Sequence, residues 1–213
     1  MPLSGDAQFW DRAARKYAKS KIADQVGYER TLERTRALLK PADRVLELGC
    51  GTGTTALHLA GSVQSYLGAD ISTEMIAIAD EKHAARTIPG LTFSTATAES
   101  LSAQGARFDA VLAFSYLHLI RDLPDTLRCI HEMLVPGGLF ISKTPCVGEM
   151  NLLIRRIMLP AMRAVGKAPH VTIFDGAELK AQVSAAGFEL IANERHAAKG
   201  KDVRAYIVAR KRS

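Results

Sequence analysis

Apolar positions in this chain switch repeatedly between short continuous runs and a rhythm of three to four residues. Val45-Leu46-Glu47-Leu48 is a short apolar run holding one acid, and Ala56, Leu57, Leu59 and Ala60 then resume at helical spacing. The same exchange recurs downstream and predicts strands near 44–48, 65–70, 91–94, 109–114 and 138–143, with helices near 54–61, 73–85 and 123–134 between them. Two further helices are predicted near 6–19 and 24–39; the second stops before Pro41, because the residue ahead of a proline is pushed out of the α region. This alternation predicts an α/β, doubly wound, mostly parallel sheet with right-handed crossovers and helices on both faces. In such sheets ligands bind beyond the carboxyl ends of the strands, where Gly49, Asp70, Thr97 and Phe114 are expected to converge.

After the fifth strand the rhythm changes. Met150, Leu153, Ile154, Ile157, Met158, Ala161 and Val165 fall on one helical face, with Arg155, Arg156, Leu159 and Arg163 largely opposite and Pro160 set to bend the helix. The segment 146–172 reads either as a surface helix packed on the core or as an inserted lid on the acceptor side, resting on a membrane surface through its arginines. Asp175 looks like a helix N-cap, Leu179 to Ala186 like the helix and Gly187 like its stop; Phe188 to Ile191 and Tyr206 to Ala209 look like a closing hairpin. With 213 residues, 47% of them hydrophobic, one domain covering 1–213 is expected, with residues 1–40 as a helical cap.

The junction Gly49-Cys50-Gly51-Thr52-Gly53-Thr54 links a buried strand to a helix through three alternating glycines. One glycine would suffice for turning, so three indicate a ligand brought against the backbone. A dinucleotide fingerprint needs G-x-G-x-x-G; counted from Gly49 its third position is Thr54, and counted from Gly51 it is Ala56, so that ligand stays open. A phosphate-cradling G-x-x-x-x-G-K-[ST] loop is absent, since no lysine follows the glycines.

The whole decamer Val45 to Thr54 resembles the first motif of the class I S-adenosylmethionine-dependent methyltransferases, of the small-molecule type. Tyr66-Leu67-Gly68-Ala69-Asp70-Ile71-Ser72 is similar to that family's second strand, Phe108 to His118 to its fourth strand and following loop, and Leu134 to Phe140 to the turn into its fifth. Phe9-Trp10-Asp11 with Tyr17 resembles its N-terminal cap, so the likeness spans about 9 to 144. It implies a seven-stranded sheet with an antiparallel last strand and S-adenosylmethionine as cofactor. The implied contacts are Tyr17, Glu47, Gly49, Cys50, Gly51, Gly53, Asp70, Ile71, Thr97, Ala98 and Phe114, with Asp70 on the ribose hydroxyls. Many relatives carry an acid where Thr97 stands, so the Ala98 backbone is expected to share the adenine contacts. Methyl transfer from a sulfonium needs alignment and exclusion of water more than a nucleophile. His118 is the candidate base, Trp10 and Tyr116 are candidate pocket walls, and Lys143, Thr144 and Glu149 are candidate acceptor contacts.

Charge adds little to this picture. The formal net charge is +6 with a pI near 9.3, spread over Arg12, Arg15, Lys16, Lys19, Lys21, the basic face near 155–167 and Arg210-Lys211-Arg212. No nucleic-acid module accompanies it and aromatic residues are only 6% of the chain, which favours solvated faces over a polyanion site. Cys50, Cys129 and Cys146 lack C-x-x-C spacing, arguing against a disulfide framework or a zinc site, and the other histidines, at 58, 83, 131, 170 and 196, lack ligand spacing and read as surface or structural. No apolar stretch follows Met1 and no run of about 20 apolar residues occurs, so a cytoplasmic location is expected. The expected partner is a small-molecule acceptor. An NAD(P)-dependent oxidoreductase and a non-catalytic S-adenosylmethionine-binding protein are the alternatives.

Overall fold

Alternation along β1 (Arg44–Leu48) divides the interior in two. Leu46 and Leu48 join Val111, Ala113, Phe140 and Ile207 in one core, while Val45 joins Ala110, Leu112, Ile141, Tyr206 and Val208 in the other. The computed structural model describes residues 5–149, 158, 168–198 and 204–212. Besides β1 the strands are β2 Ser65–Asp70, β3 Leu91–Thr95, β4 Phe108–Phe114, β5 Leu134–Pro145, β6 Phe188–Glu194 and β7 Arg204–Lys211. They form one seven-stranded sheet in the order β3-β2-β1-β4-β5-β7-β6. The first five pair in parallel, and β7 is antiparallel to both β5 and β6.

The helices are α1 Gly5–Ala18, α2 Gln25–Leu38, α3 Thr54–Leu59, α4 Thr73–Ala85, α5 Ala98–Ala103, α6 Leu123–Met133 and α7 Gly176–Ala185. Most begin where a short polar side chain takes up free helical N–H groups. Ser72 accepts from the Met75 N–H, Thr97 and Ser100 make a reciprocal box, Asp122 accepts from the Asp125 N–H, and Asp175 and Glu178 make a second box. The first core is covered by α5, α6 and α7 through Leu101, Leu127, Ile130, Leu179 and Val183. The second is covered by α2 and α3 through Leu32, Ala56 and Leu59. The cap helix α1 rests on α4 through Ala14, Met75 and Ile78, with Trp10 against them. Asp11 Oδ1 fixes that seat by accepting from Ser72 Oγ at 2.6 Å and from the Glu74 N–H at 3.2 Å.

Several elements differ from expectation. Helix α5 was not foreseen, because its six residues Ala98–Ala103 show no helical apolar stripe. The fifth strand runs from 134 to 145 rather than 138 to 143: Phe108 pairs with Leu134 and Ala110 with Leu139, so the Pro136-Gly137-Gly138 turn is a bulge within the strand. The closing strands reach 188–194 and 204–211, longer than foreseen, since Leu190 and Ile191 are both substantially exposed and break the alternation of β6. The helix expected near 150–165 lies outside the described residues except for Met158.

Candidate active site

The carboxyl ends of β1, β2 and β4 open onto a cavity of about 670 Å³. A second, of about 350 Å³, adjoins it, and Tyr17, Gly49, Gly51, Phe114 and Ser115 line both. The partition between the two chambers is therefore the glycine loop itself together with the end of β4.

The loop is tied down from both sides. The Cys50 N–H donates to Ala69 O at 3.0 Å, the Gly53 N–H to Cys50 O at 3.1 Å, and Lys82 Nζ of α4 donates to Thr52 O at 2.9 Å. Its glycines do different work. Gly49 has φ +67°, and a Cβ there would lie 2.5 Å from Tyr116 Cδ2, so the ring of Tyr116 closes over bare backbone at the cavity wall. Gly53 has φ +73° and lines neither chamber; a Cβ there would strike Phe93 Cζ at 2.7 Å and Ala79 Cβ at 2.9 Å, so it serves helix-to-sheet packing.

Asp70 ends β2 beside the loop. Its Oδ2 accepts from the Gly51 N–H at 3.0 Å and its Oδ1 from the Ser72 N–H at 2.9 Å. Burial pushes this carboxyl above the usual range, with the Ser72 and Gly51 donors pulling it back. Each carboxylate oxygen keeps a further lone pair, so a vicinal diol can be received from the cavity side. Glu47 lies on the smaller chamber, 2% exposed, and accepts from Tyr66 Oη at 2.8 Å. Burial raises its pKa to about 8, so it holds a proton at neutral pH.

On the far side of the larger chamber stands a wall from the short 3₁₀ turn Leu117–Leu119 and the segment after Ala168. The Thr172 N–H donates to His118 O at 2.7 Å and Thr172 Oγ1 to Ile120 O at 2.5 Å. His118 Nδ1 is sealed from solvent without a hydrogen-bond partner among the described residues, and burial lowers the imidazole pKa to about 4. Arg121 and Asp6 also line this chamber and pair at 2.9 Å, fastening α1 across its edge.

The expected site residues thus fall into three groups. Tyr17, Gly49, Gly51, Asp70, Ile71, Phe114 and His118 line the larger chamber, as do Trp10 and Tyr116; Glu47, Cys50 and Lys143 line the smaller. Gly53, Thr97, Ala98, Thr144 and Glu149 line neither. Thr97 Oγ1 accepts from the Ser100 N–H at 3.2 Å as the cap of α5, and Ala98 is wholly buried in the core. Thr144 is also wholly buried, and Glu149 accepts from the Gly176 N–H at 3.1 Å.

A family model described as a methyltransferase domain matches residues 14–193. The chain belongs to the class I methyltransferase family. The ubiquinone biosynthesis O-methyltransferase of Azorhizobium caulinodans is 30% identical over 155 residues, which cover 69% of this chain and 59% of that one. Further enzymes of the same name, among them one from Cereibacter sphaeroides at 35% identity, match over shorter stretches, and the chain spans about half the length of these curated relatives. The magnesium protoporphyrin IX methyltransferase of Synechocystis, solved with S-adenosylhomocysteine, superposes with a TM-score of 0.70 at 18% identity, covering 97% of this chain and 95% of that one. The cyclase SpnF superposes with a TM-score of 0.76 at 21% identity, covering 99% and 97%. At these identities the two structures establish the methyltransferase fold.

S-adenosylmethionine is the cofactor of this family, and the residues present fit it: a Cβ-free cradle at Gly51, where a Cβ would meet only Tyr17 Cε1 at 3.7 Å, a two-oxygen acceptor at Asp70 and two joined chambers. Among the described residues, no group of three or more His, Cys, Asp or Glu is placed to hold a metal, and no helix is long and apolar enough to cross a membrane. Several members of this methyltransferase's cavity escaped the sequence. Ala96 lines the larger chamber beside the 97–99 segment, of which Glu99 also lines it while Thr97 and Ala98, at the turn into α5, do not. His170, read as structural, lines the larger chamber and bonds Thr172 Oγ1 at 2.9 Å. Ser115 lines both chambers, and only its backbone angle, invisible in sequence, marks it out.

Proposed function

We propose that this chain transfers the methyl group of S-adenosylmethionine to a hydroxyl of a small, largely apolar acceptor. The observation that carries the reading is the meeting of two unlike chambers at one glycine loop, with Asp70 and His118, whose Nδ1 has no partner among the described residues, both lining the larger. A hydroxyl acceptor is favoured by the O-methyltransferase names of the relatives. An apolar one is favoured by Trp10, Leu119, Ile120 and Pro169 around the larger chamber.

The cofactor supplies a methyl group on a sulfonium, an activated leaving group. Asp70 takes the ribose diol on its free lone pairs, with Ile71 and Ala96 beside the adenine. Thr97 and Ala98 line neither chamber, so Glu99, in the first turn of α5, offers a polar side chain to the base edge on that wall. The smaller chamber takes the amino-acid end: Glu47 there gives up its proton when an ammonium group arrives, because a nearby cation favours the carboxylate. Tyr17 covers the loop from the cap, with Cys50 and Phe114 filling the walls.

His118 is neutral above about pH 5, since burial holds its pKa near 4. Nε2 is the nitrogen left for a ligand, and it accepts the hydrogen bond of the acceptor hydroxyl and takes its proton as the methyl group moves. The same burial disfavours a lasting imidazolium, so the proton is passed on to solvent. Residues 1–40 act as the cap, through α1 on α4 and the Arg121–Asp6 pair.

The reading is tested with methyl-labelled S-adenosylmethionine and a panel of phenols and catechols bearing apolar tails, alongside matched amines. Label in methyl ethers supports it. Label only in the amines sinks the hydroxyl assignment, and tight S-adenosylhomocysteine binding without transfer to any acceptor would instead mark a binding protein.

A further inference from the structure

Ser115 is the only non-glycine residue with a positive φ among those described, at +52°. It follows β4 directly, and its N–H donates to Lys143 O at 2.8 Å, so the kink is locked to the middle of the sheet. One use of the kink is plain: it turns the ring of Tyr116 back over Gly49. Glycine would serve that purpose with less strain. A side chain standing where glycine would relieve the backbone points to a use for the side chain.

Its position suggests which. Ser115 lies on the boundary of both chambers with Tyr17, Gly49, Gly51 and Phe114. The two glycines offer no side chain, Phe114 is apolar, and Tyr17 reaches in from the cap at 49% exposure. Ser115 contributes the one compact oxygen on the sheet side, and Oγ makes no hydrogen bond to any described residue. With the nucleoside in the larger chamber and the amino-acid end in the smaller, the sulfur that joins them must cross this boundary.

We propose that Ser115 Oγ faces the sulfonium of bound S-adenosylmethionine and favours the charged donor over neutral S-adenosylhomocysteine. This rests on the chamber assignment made above. The oxygen's negative end is attracted to the sulfonium charge and to the polarised C–H bonds of its methyl group, and both attractions vanish once the methyl group has left. The spent product is then held less tightly than the donor, which eases turnover.

Isothermal titration of both ligands against the whole chain tests it, using wild type, Ser115→Ala and Ser115→Gly. The expected result is a loss of about 5-fold in affinity for S-adenosylmethionine in both variants, the worth of one modest polar contact, with S-adenosylhomocysteine changed less than about 2-fold. Ser115→Gly should also raise Tm by about 2 °C as the strained φ is relieved, so the lost selectivity cannot come from unfolding. Equal weakening of the two ligands, or no change in either, overturns the proposal. A wild-type chain that binds neither ligand overturns the cofactor reading beneath it, and this inference with it.

Discussion

The donor side of the cavity and its acceptor wall are built by opposite means. On the donor side two neighbouring strands, β1 and β2, deliver Gly49, Gly51 and Asp70 from short contiguous segments, and the polar contacts run through backbone at the centre of the sheet. The acceptor wall is gathered from α1, the turn after β4 and the segment after Ala168. It is held by two bonds to Thr172 and by an Arg121–Asp6 pair whose arginine side chain is 64% exposed. An exposed pair of that kind contributes about 0–1 kcal/mol. The contrast teaches that recognition of a shared donor can be fixed in main chain, while recognition of an individual acceptor rests on side chains that can change without unsettling the sheet.

The largest test of that contrast falls on Asp70. Asp70→Ala removes the diol acceptor and releases the Gly51 and Ser72 N–H groups, and affinity for S-adenosylhomocysteine should fall by about 1,000-fold in titration calorimetry. A loss under tenfold would break the claim that the donor side is centred there. Glu47→Gln probes the same side through pH. The carboxyl pKa is raised from 4.5 to about 8 by burial, so the folded state keeps a proton that the unfolded chain loses, and wild-type stability falls as pH rises from about 4.5 towards 8. Glutamine keeps an acceptor for Tyr66 and cannot ionise; its advantage over wild type should grow by on the order of 3 kcal/mol between pH 5 and pH 8 in urea melts. A constant difference across that range would show that Glu47 is already ionised.

Smaller effects belong to the other side. His118→Ala should lower kcat on a responsive acceptor by about 30-fold while leaving S-adenosylhomocysteine affinity within about 2-fold. Loss of both together would mean that the two sides are not separable. Arg121→Ala should cost less than about 1 kcal/mol in stability and raise the acceptor KM by about 2-fold, with the cofactor Kd unchanged. A change in cofactor affinity would show that the cap belongs to the donor side.

The same contrast decides what could be read from sequence. Strands β1 and β2 fall where their apolar runs place them, because burial on both faces of the sheet centre makes those runs mostly apolar, and the glycine loop declares its own geometry. Asp70 follows from its place at the end of β2. At the turn into α5 the flanking Ala96 and Glu99 line the cavity while Thr97 and Ala98 between them do not, and six residues carry too few periods to signal a helix. The Thr172 bonds to His118 and Ile120 and the Asp6–Arg121 pair join positions more than 50 residues apart, which no local pattern records. Ser115 adopts a conformation that glycine or asparagine would have advertised and serine does not.

The strand order has a further consequence, for the timing of synthesis. Strands β1 to β5 can pair as they emerge from a ribosome, each beside one already made, but β6 is translated before the strand that separates it from β5. Until residues 204–211 emerge, β6 has no neighbour and the outer edge of β5 presents unpaired N–H and C=O groups to any passing strand. A nascent chain can therefore complete its cofactor loop while still carrying an adhesive edge, and β7, arriving last and lodging inside the sheet, removes it.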